Sequence, residues 1–271
     1  MNLLETLAVK LRHLPGLKSL GGLWAIIRPL YQKMLTWSSG EQGLVRVING
    51  LDEIRILPEW RALPEIYEPE VWKRLLLSIQ KGDVIADVGA HFGLYAIAFA
   101  KRTGPTGKVF AIEADPDNAE VLSAHVRLNQ VEPVVEVVQK AVTDREGSAD
   151  WHSQDTQSVV KPSAISGNGM TVQMTTLDRL LEGRRLDVLL MDIEGYEEPA
   201  LRGGLNLLKD RTRRPRLIVV EVHPYNWELC ESSSSSFLRL LSEADYEVTG
   251  IDGQSVREIR EYGHVFATPK D

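Results

Sequence analysis

Asp83-Val84-Ile85-Ala86-Asp87-Val88-Gly89-Ala90-His91-Phe92-Gly93 is the stretch that decides the fold. Val84 to Val88 is a short apolar run of the kind that forms a strand buried on both faces. Gly89 and Gly93 let the backbone turn sharply and approach a ligand closely, and Leu94–Ala100 starts a helix. N–H groups at such a helix start can hold an anionic group. The glycine spacing separates ligand types. A dinucleotide site wants Gly-x-Gly-x-x-Gly with pyrophosphate at the helix start. Here Ala90, His91 and Phe92 stand between the two glycines, and the turn suits an amino-acid tail better. Asp87 would accept from its ammonium, and the amides of Gly89, Ala90 and Gly93 would meet its carboxylate.

Working outward, strands and helices alternate. Lys108–Ile112 reads as a strand, Asn118–Leu128 as a helix and Val134–Val138 as a strand. Asp187–Met191 is a strand followed by a helix through Leu208. Leu217–Val222 is a strand and Phe237–Ala244 a helix, with Ser236 as its N-cap. Tyr246–Ile251 and Gly263–Ala267 close the chain as strands. Such an order implies a parallel sheet covered by helices on both faces. The short link between the last two strands calls for an antiparallel hairpin. Residues 144–176 interrupt the alternation and read as a hairpin with a long loop, of the kind that lies over active sites.

Upstream, Pro69 opens a helix carrying Val71, Trp72, Leu75, Leu76 and Ile79, and Leu44–Ile48 with Ile54–Leu57 suggests a hairpin. Residues 1–65 are expected to form a helical and mixed extension, and residues 66–271 the catalytic domain. The first 40 residues carry Lys10, Arg12, Lys18, Arg28 and Lys33 against Glu5, so peripheral contact with a membrane is open beside plain packing on the domain.

The chain has 271 residues, 43% of them apolar, and a net charge of −7. That excess of acid argues against a nucleic-acid partner. Cys230 is the single cysteine, and no apolar run reaches bilayer length, which together set the expectation of a cytoplasmic protein without a transmembrane segment. The oligomeric state has no sequence signal.

The strand ends carry the chemistry, as open α/β sheets require. Glu113 ends the second strand at roughly the 20-residue offset from the glycine turn where an acid hydrogen-bonds ribose hydroxyls. Gln139-Lys140-Ala141-Val142 ends the third strand, in the region that borders a nucleotide base. The fourth strand supplies Asp192 and Glu194, and the fifth Glu221 and His223, which share one face. His223 has the chemistry of a general base near neutral pH. Asp192, Glu194, Glu221 and His223 are also of the types that bind a divalent ion, but their spacing lacks a tight ligand pattern and no metal is assigned. Lys209, Arg211, Arg213, Arg214 and Arg216 precede the fifth strand, either as a solvated loop or as a site for a phosphorylated acceptor. Trp151 and Trp227 are read as packing, with sugar stacking as the alternative.

The chain resembles the FkbM family of S-adenosylmethionine (SAM)-dependent methyltransferases. The resemblance rests on Tyr67-Glu68-Pro69, Asp87 to Tyr95, Glu113-Ala114-Asp115-Pro116, Thr176-Leu177-Asp178 and Met191-Asp192-Ile193-Glu194-Gly195-Tyr196-Glu197. It implies a Rossmann-like class I methyltransferase fold, with a seven-stranded, mostly parallel sheet and an antiparallel C-terminal strand. It implies SAM as cofactor and O-methylation of a hydroxyl on a sugar, glycan or other natural product. On this reading Glu68, Asp87, Gly89, Ala90, Gly93, Glu113, Ala114, Ala141 and Asp192 bind the cofactor, while Asp192, Glu194 and His223 are catalytic. Asp178 is expected to cap or to order the loop before the fourth strand. His91 stands where the family usually has Asn, and Met191 where Lys is common. A SAM-binding module without turnover and an NAD-dependent oxidoreductase are the rival readings; the glycine spacing disfavours the second.

Overall fold

A computed structural model describes residues 42–154, 157–161 and 170–270. The basic segment 1–40, with its proposed membrane contact, and the side chain of Trp151 lie outside the described residues.

The apolar runs form a seven-stranded sheet. Its strands are β3 (Val84–Val88), β4 (Lys108–Ile112), β5 (Val135–Val138), β10 (Val188–Met191), β11 (Leu217–Val222), β12 (Tyr246–Thr249) and β13 (Gly263–Pro269), in the order β12-β13-β11-β10-β3-β4-β5. β10 pairs in parallel with β3 and β11, and β13 is antiparallel to both its neighbours. The expected mostly parallel sheet with an antiparallel C-terminal strand is therefore present. Alternate strand residues feed two apolar layers. Ile85, Val109, Leu190 and Val219 face one, and Ala86, Phe110, Leu189 and Val220 the other.

Helices cover both faces: α1 (Pro69–Ser78), α2 (Leu94–Thr103), α3 (Pro116–Leu128), α4 (Leu177–Leu180), α5 (Glu197–Arg202), α6 (Leu205–Lys209) and α7 (Ser234–Glu243). Pro69 and Pro116 occupy the first turns of α1 and α3, where the missing N–H costs nothing. Asp115 caps α3 by accepting from Asp117 and Asn118. The helix expected through Leu208 is instead α5 and α6, broken at Gly203-Gly204. Gly203 lies against Thr143 so closely that a Cβ would run into its carbonyl oxygen. The cap of α7 is Ser233 and not Ser236. The two serines form a reciprocal capping box, so the third helical residue had been taken for the cap.

The hairpin β1 (Leu44–Ile48) and β2 (Asp52–Ile56) buries Leu44, Ile48, Ile54 and Ile56 in the same layer as α1 and α2. Asp52 accepts from the Trp72 indole at 2.9 Å and pairs with Arg102 at 2.9 Å. The described residues of the interruption at 144–176 include the expected hairpin and a further strand paired with it. β6 (Ala141–Val142), β7 (Gly147–Gln154), β8 (Gln157–Lys161) and β9 (Met170–Thr175) form a second sheet, in the order β6-β9-β7-β8.

The basic cluster before β11 lies at the N-terminal ends of the strands. Arg216 binds Asp83 at 2.6 Å and the Ser78 carbonyl at 2.7 Å, Arg213 binds Asp210 at 2.7 Å, and Arg211 binds Asp245 at 2.9 Å. These arginines face away from the strand ends that carry the acids, and their partners are structural. Among the described residues no helix is long and apolar enough to cross a membrane.

Asp178, which lies before β10, acts as a cap, and the helix it caps is α6, beyond β10. Its carboxylate accepts from the backbone N–H groups of Asn206 (3.1 Å) and Leu207 (2.8 Å), at the first turn of α6. Asp178→Ala is expected to lower stability by about 1–2 kcal/mol, the usual cost of a lost cap, measured by urea unfolding. Affinity for SAM should stay within about twofold, because the cap is remote from the acidic strand ends.

Candidate active site

The C-terminal ends of β3, β4, β10 and β11 converge on one cleft, closed at the side by the start of β13 and by Glu68 before α1. Asp87 is the last polar residue of β3. It is 3% exposed, and its Oδ2 has no hydrogen-bond partner among the described residues. Burial, reinforced by the charges of Asp192 and Glu113, pushes its carboxyl up to about 8. Such an atom calls for a cationic or hydrogen-donating ligand.

The turn after β3 is held by backbone. The N–H groups of Gly89 and Ala90 both donate to the Ile112 carbonyl at 2.9 Å. Gly89 has φ +85°, and a Cβ there would collide with the carbonyl oxygen of Asp192. The glycine thus admits the chain's own backbone as well as leaving a wall of the cleft open. Gly93 differs from expectation. It does not line the cleft; its φ is +90° and the space beside it is filled by Leu122 of α3. The other residues expected to bind cofactor, Glu68, Asp87, Gly89, Ala90, Glu113, Ala114, Ala141 and Asp192, all line it. Glu113 is tied at both oxygens, accepting from His91 N at 2.7 Å and Asp115 N at 2.8 Å.

His91 has φ +49°. Asn, Asp and His are the side-chain-bearing residues that best tolerate this left-handed region. The replacement of the family's usual Asn by His therefore keeps the turn. Its ring packs toward Trp60 and Phe92, with centroids 6.1 and 4.2 Å away.

Asp192, Glu194 and His223 are brought together as expected. The Nε2 of His223 lies 3.7 Å from Asp192 Oδ1 and 3.7 Å from Glu194 Oε2, at the mouth of the cleft. What orients the ring is Glu197, which the sequence reading placed in the family motif without a role. Glu197 is fully buried, and it accepts from His223 Nδ1 (2.7 Å), Trp227 Nε1 (2.8 Å) and Gly195 N (2.8 Å). The carboxylate fixes the proton on Nδ1 and turns the Nε2 lone pair toward the cleft. Burial alone would lower the His223 pKa; the bond to Glu197 and the charges of Glu197, Asp192 and Glu194 outweigh it and raise it. Trp227, 3% exposed and stacked on Phe237, is packing and not a sugar platform.

A second group joins Glu221, Asp192 and Glu68, which the sequence singles out, to Tyr262 and His264, which it does not. Glu221 shares a hydrogen bond with Asp192 and receives the Tyr262 hydroxyl. Burial and the Asp192 charge push Glu221 up to about 10, so this carboxyl pair retains a proton at neutral pH. Asp192 keeps 40% of its side-chain surface only because it faces the open cleft. Glu68 accepts from Tyr95 Oη at 2.9 Å and lies 3.3 Å from His264 Nε2. Burial would raise Glu68, but His264 and the tyrosine hydroxyls hold it below the usual carboxylate range. His264 reaches the cleft only through the register that sets it opposite Glu221. The ligating atoms of Asp192, Glu221 and His223 lie within 4.8 Å of one another, as do those of Glu68, Glu221 and His264. Either set has the donors a divalent ion takes, provided the Asp192–Glu221 proton leaves.

In Glu197→Gln the His223 pKa should fall, because burial then meets only the charges of Asp192 and Glu194, read by imidazole NMR titration. An unchanged titration would mean that Glu197 does not set the state of the ring.

The methyltransferase FkbM domain model matches residues 87–248. No curated protein matches the chain. Similar solved structures include methyltransferase FkbM from Methylobacillus flagellatus KT, with TM-score 0.45, 16% identity, and coverage of 70% of this chain and 44% of that one. The SAM-dependent O-methyltransferase from Thermotoga maritima gives TM-score 0.43 and 14% identity over 75% of this chain and 66% of that one. The O-methyltransferase from Bacillus cereus in complex with SAH (S-adenosylhomocysteine) gives 0.45 and 17% over 76% and 82%. The chain thus spans less than half the length of the Methylobacillus protein. Family membership sets aside the oxidoreductase alternative. The chain belongs to the FkbM family of methyltransferases, enzymes whose methyl donor is SAM.

Proposed function

We propose that this protein transfers a methyl group from SAM to a hydroxyl oxygen of a sugar, glycan or similar small natural product, with His223 as general base. The observation that carries the proposal is the Glu197–His223 arrangement, in which Glu197 holds Nδ1 and Nε2 is aimed at the acidic mouth of the cleft. SAM, when bound, supplies a methyl group on a sulfonium, so the protein's task is alignment and removal of the acceptor's proton.

Each residue then has a role in binding or proton handling. Asp87 Oδ2, buried and unpaired, accepts from the ammonium of the amino-acid tail. The Gly89–Ala90 turn passes beside that tail. Gly93 enters no contact of its own and shapes the turn through its packing on Leu122. Glu113 offers the lone pairs left over from its two backbone bonds to the ribose hydroxyls, and Ala114 and Ala141 flank the base. Asp192 and Glu68 stand between the cofactor and acceptor sides, since both line the inner cleft and its mouth. Glu194, 3.2 Å from the Tyr225 hydroxyl, orients the acceptor, and His223 takes its proton. Among the described residues the mouth carries Glu68, Asp192, Glu194 and Glu221 and no lysine or arginine. A nucleic-acid or phosphorylated acceptor would be repelled there, which supports an uncharged hydroxyl compound. We place the methyltransferase domain at residues 66–271, with residues 1–65 as an extension whose hairpin docks on it.

A cation binds the ionised form of Asp87. Affinity for SAH should therefore rise with pH across roughly pH 6.5–8, by up to about tenfold per unit, with release of a proton. Calorimetry in buffers of different ionisation enthalpy reads both effects, and Asp87→Asn should flatten them. A pH-independent affinity in the wild type would remove Asp87 from the site.

His223→Gln should lower kcat by about 10²–10⁴ while leaving SAH affinity within about twofold, measured by transfer of a labelled methyl group to a panel of glycosides. Absence of SAM binding at millimolar concentration would sink the whole proposal. Intact SAM binding without turnover on any acceptor would favour a silent binding module.

A further inference from the structure

His125 has no place in the chemistry above, yet it is fully buried beneath the cofactor turn with both ring nitrogens engaged. Its Nε2 accepts from the backbone N–H of Leu57 at 3.0 Å, and its Nδ1 lies 2.8 Å from the carbonyl oxygen of Phe92. A backbone N–H can only donate, so Nε2 carries no proton; the proton sits on Nδ1 and is donated to Phe92. One imidazole in one tautomer therefore spans two segments far apart in sequence. Phe92 lies inside the turn between Gly89 and Gly93. Leu57 lies where β2 leaves the N-terminal hairpin.

The surroundings fit a latch. Among the described residues β2 pairs only with β1, and its other edge faces α3. There Asn129, one turn after His125, accepts from Arg55 N at 2.9 Å and donates to Arg55 O at 2.7 Å. His125 takes the next outward-facing amide, that of Leu57. The chain then turns through Pro58–Trp60 and sets the Trp60 ring 4.9 Å from Phe92 and edge-on to His125 at 6.2 Å. Asn129 bonds the hairpin, Lys101 of α2 and the His125 carbonyl but not the turn, whereas the His125 ring bonds both the hairpin and the turn.

We propose that His125 is a positioning residue for the cofactor turn: by bridging Leu57 N and Phe92 O it locks the 57–60 segment over the turn, so that the N-terminal extension helps set the affinity for SAM. The inference rests on the reading of Asp87–Gly93 as the SAM site. The turn depends on such support, because His91 holds a left-handed conformation and the Phe92 carbonyl points into the interior.

The test uses the full chain, with SAH calorimetry and steady-state kinetics. His125→Phe removes both bonds at similar volume. It should weaken SAH binding and raise the KM for SAM by about tenfold, the scale of one unsatisfied buried group, while kcat at saturating SAM stays within about threefold. Leu57→Pro deletes only the N–H donor. Leu57 has φ −63°, which proline adopts without strain. This variant should fold and still weaken SAH binding by about threefold to fivefold. Asn129→Ala loosens the hairpin without touching the turn and should bind SAH within about twofold of wild type. Wild-type affinity in both His125→Phe and Leu57→Pro overturns the latch, as does an equal loss in Asn129→Ala. If the wild type itself binds no SAH, the SAM reading falls and the latch with it.

Discussion

The active end of the molecule depends on one contact made by a residue without a side chain. Gly89 lies against the carbonyl of Asp192, at a backbone angle and a separation that leave no room for a Cβ. The Asp192 N–H donates to the Val88 carbonyl at 2.8 Å, so the pairing of β10 with β3 runs one step past the last sheet residue. Gly89 and Ala90 meanwhile donate to Ile112 at the end of β4. Three strand ends are thereby fixed to one another through backbone alone. The acids they carry are spaced by the sheet and not by flexible side chains, which is the rigidity that alignment of two reactants demands.

That spacing is electrostatically costly. Asp87, Glu113 and Asp192 face one another in a cleft of low polarity, and Glu221 is close enough to Asp192 to share a hydrogen bond. Like charges at this density are tolerated by keeping protons or by meeting cations. The molecule distributes both solutions. Asp192 and Glu221 hold a proton between them, Glu68 has His264 and two tyrosines, and Glu113 has two backbone amides. Asp87 alone is left with an orphaned oxygen, and it lies on the side where the amino-acid tail is placed. His223 is treated in the opposite way: the buried carboxylate of Glu197 sets the tautomer and raises the basicity of the ring.

Much of this was legible in the chain because it is written locally. The run Val84–Val88, the glycine turn and Glu113 follow one another within a single βαβ unit, and period and turn chemistry suffice to place them. Asp192, Glu194 and His223 could be grouped because adjacent parallel strands end at the same level. Glu197 could not. Its role comes from a turn at Gly195 that folds its carboxylate back under β11, where Trp227 and His223 converge. His264 depends on the antiparallel return of β13, a fact of topology without a local signal. The arginines before β11 could be read either way for a related reason: composition shows a basic cluster but not which end of the sheet it occupies. Gly93 was misread because a glycine freed for a ligand and a glycine freed for a neighbouring leucine look alike in sequence.

The two departures from the family pattern follow from the same geometry. At position 91 the turn uses the backbone, whose N–H binds Glu113, and asks of the side chain only that it tolerate a left-handed angle. His meets that condition as Asn does, and its larger ring fills the space against Trp60 and Phe92. Position 191 is the last residue of β10, and Met191 is wholly buried in the apolar layer that holds Leu189, Val220 and Val222. A lysine there would have to reach out of that layer to keep its charge hydrated. With methionine the layer stays closed and adds no positive charge beside Asp192. Neutralisation of the acidic mouth is then left to His223, His264, the shared proton and whatever cation the ligands bring.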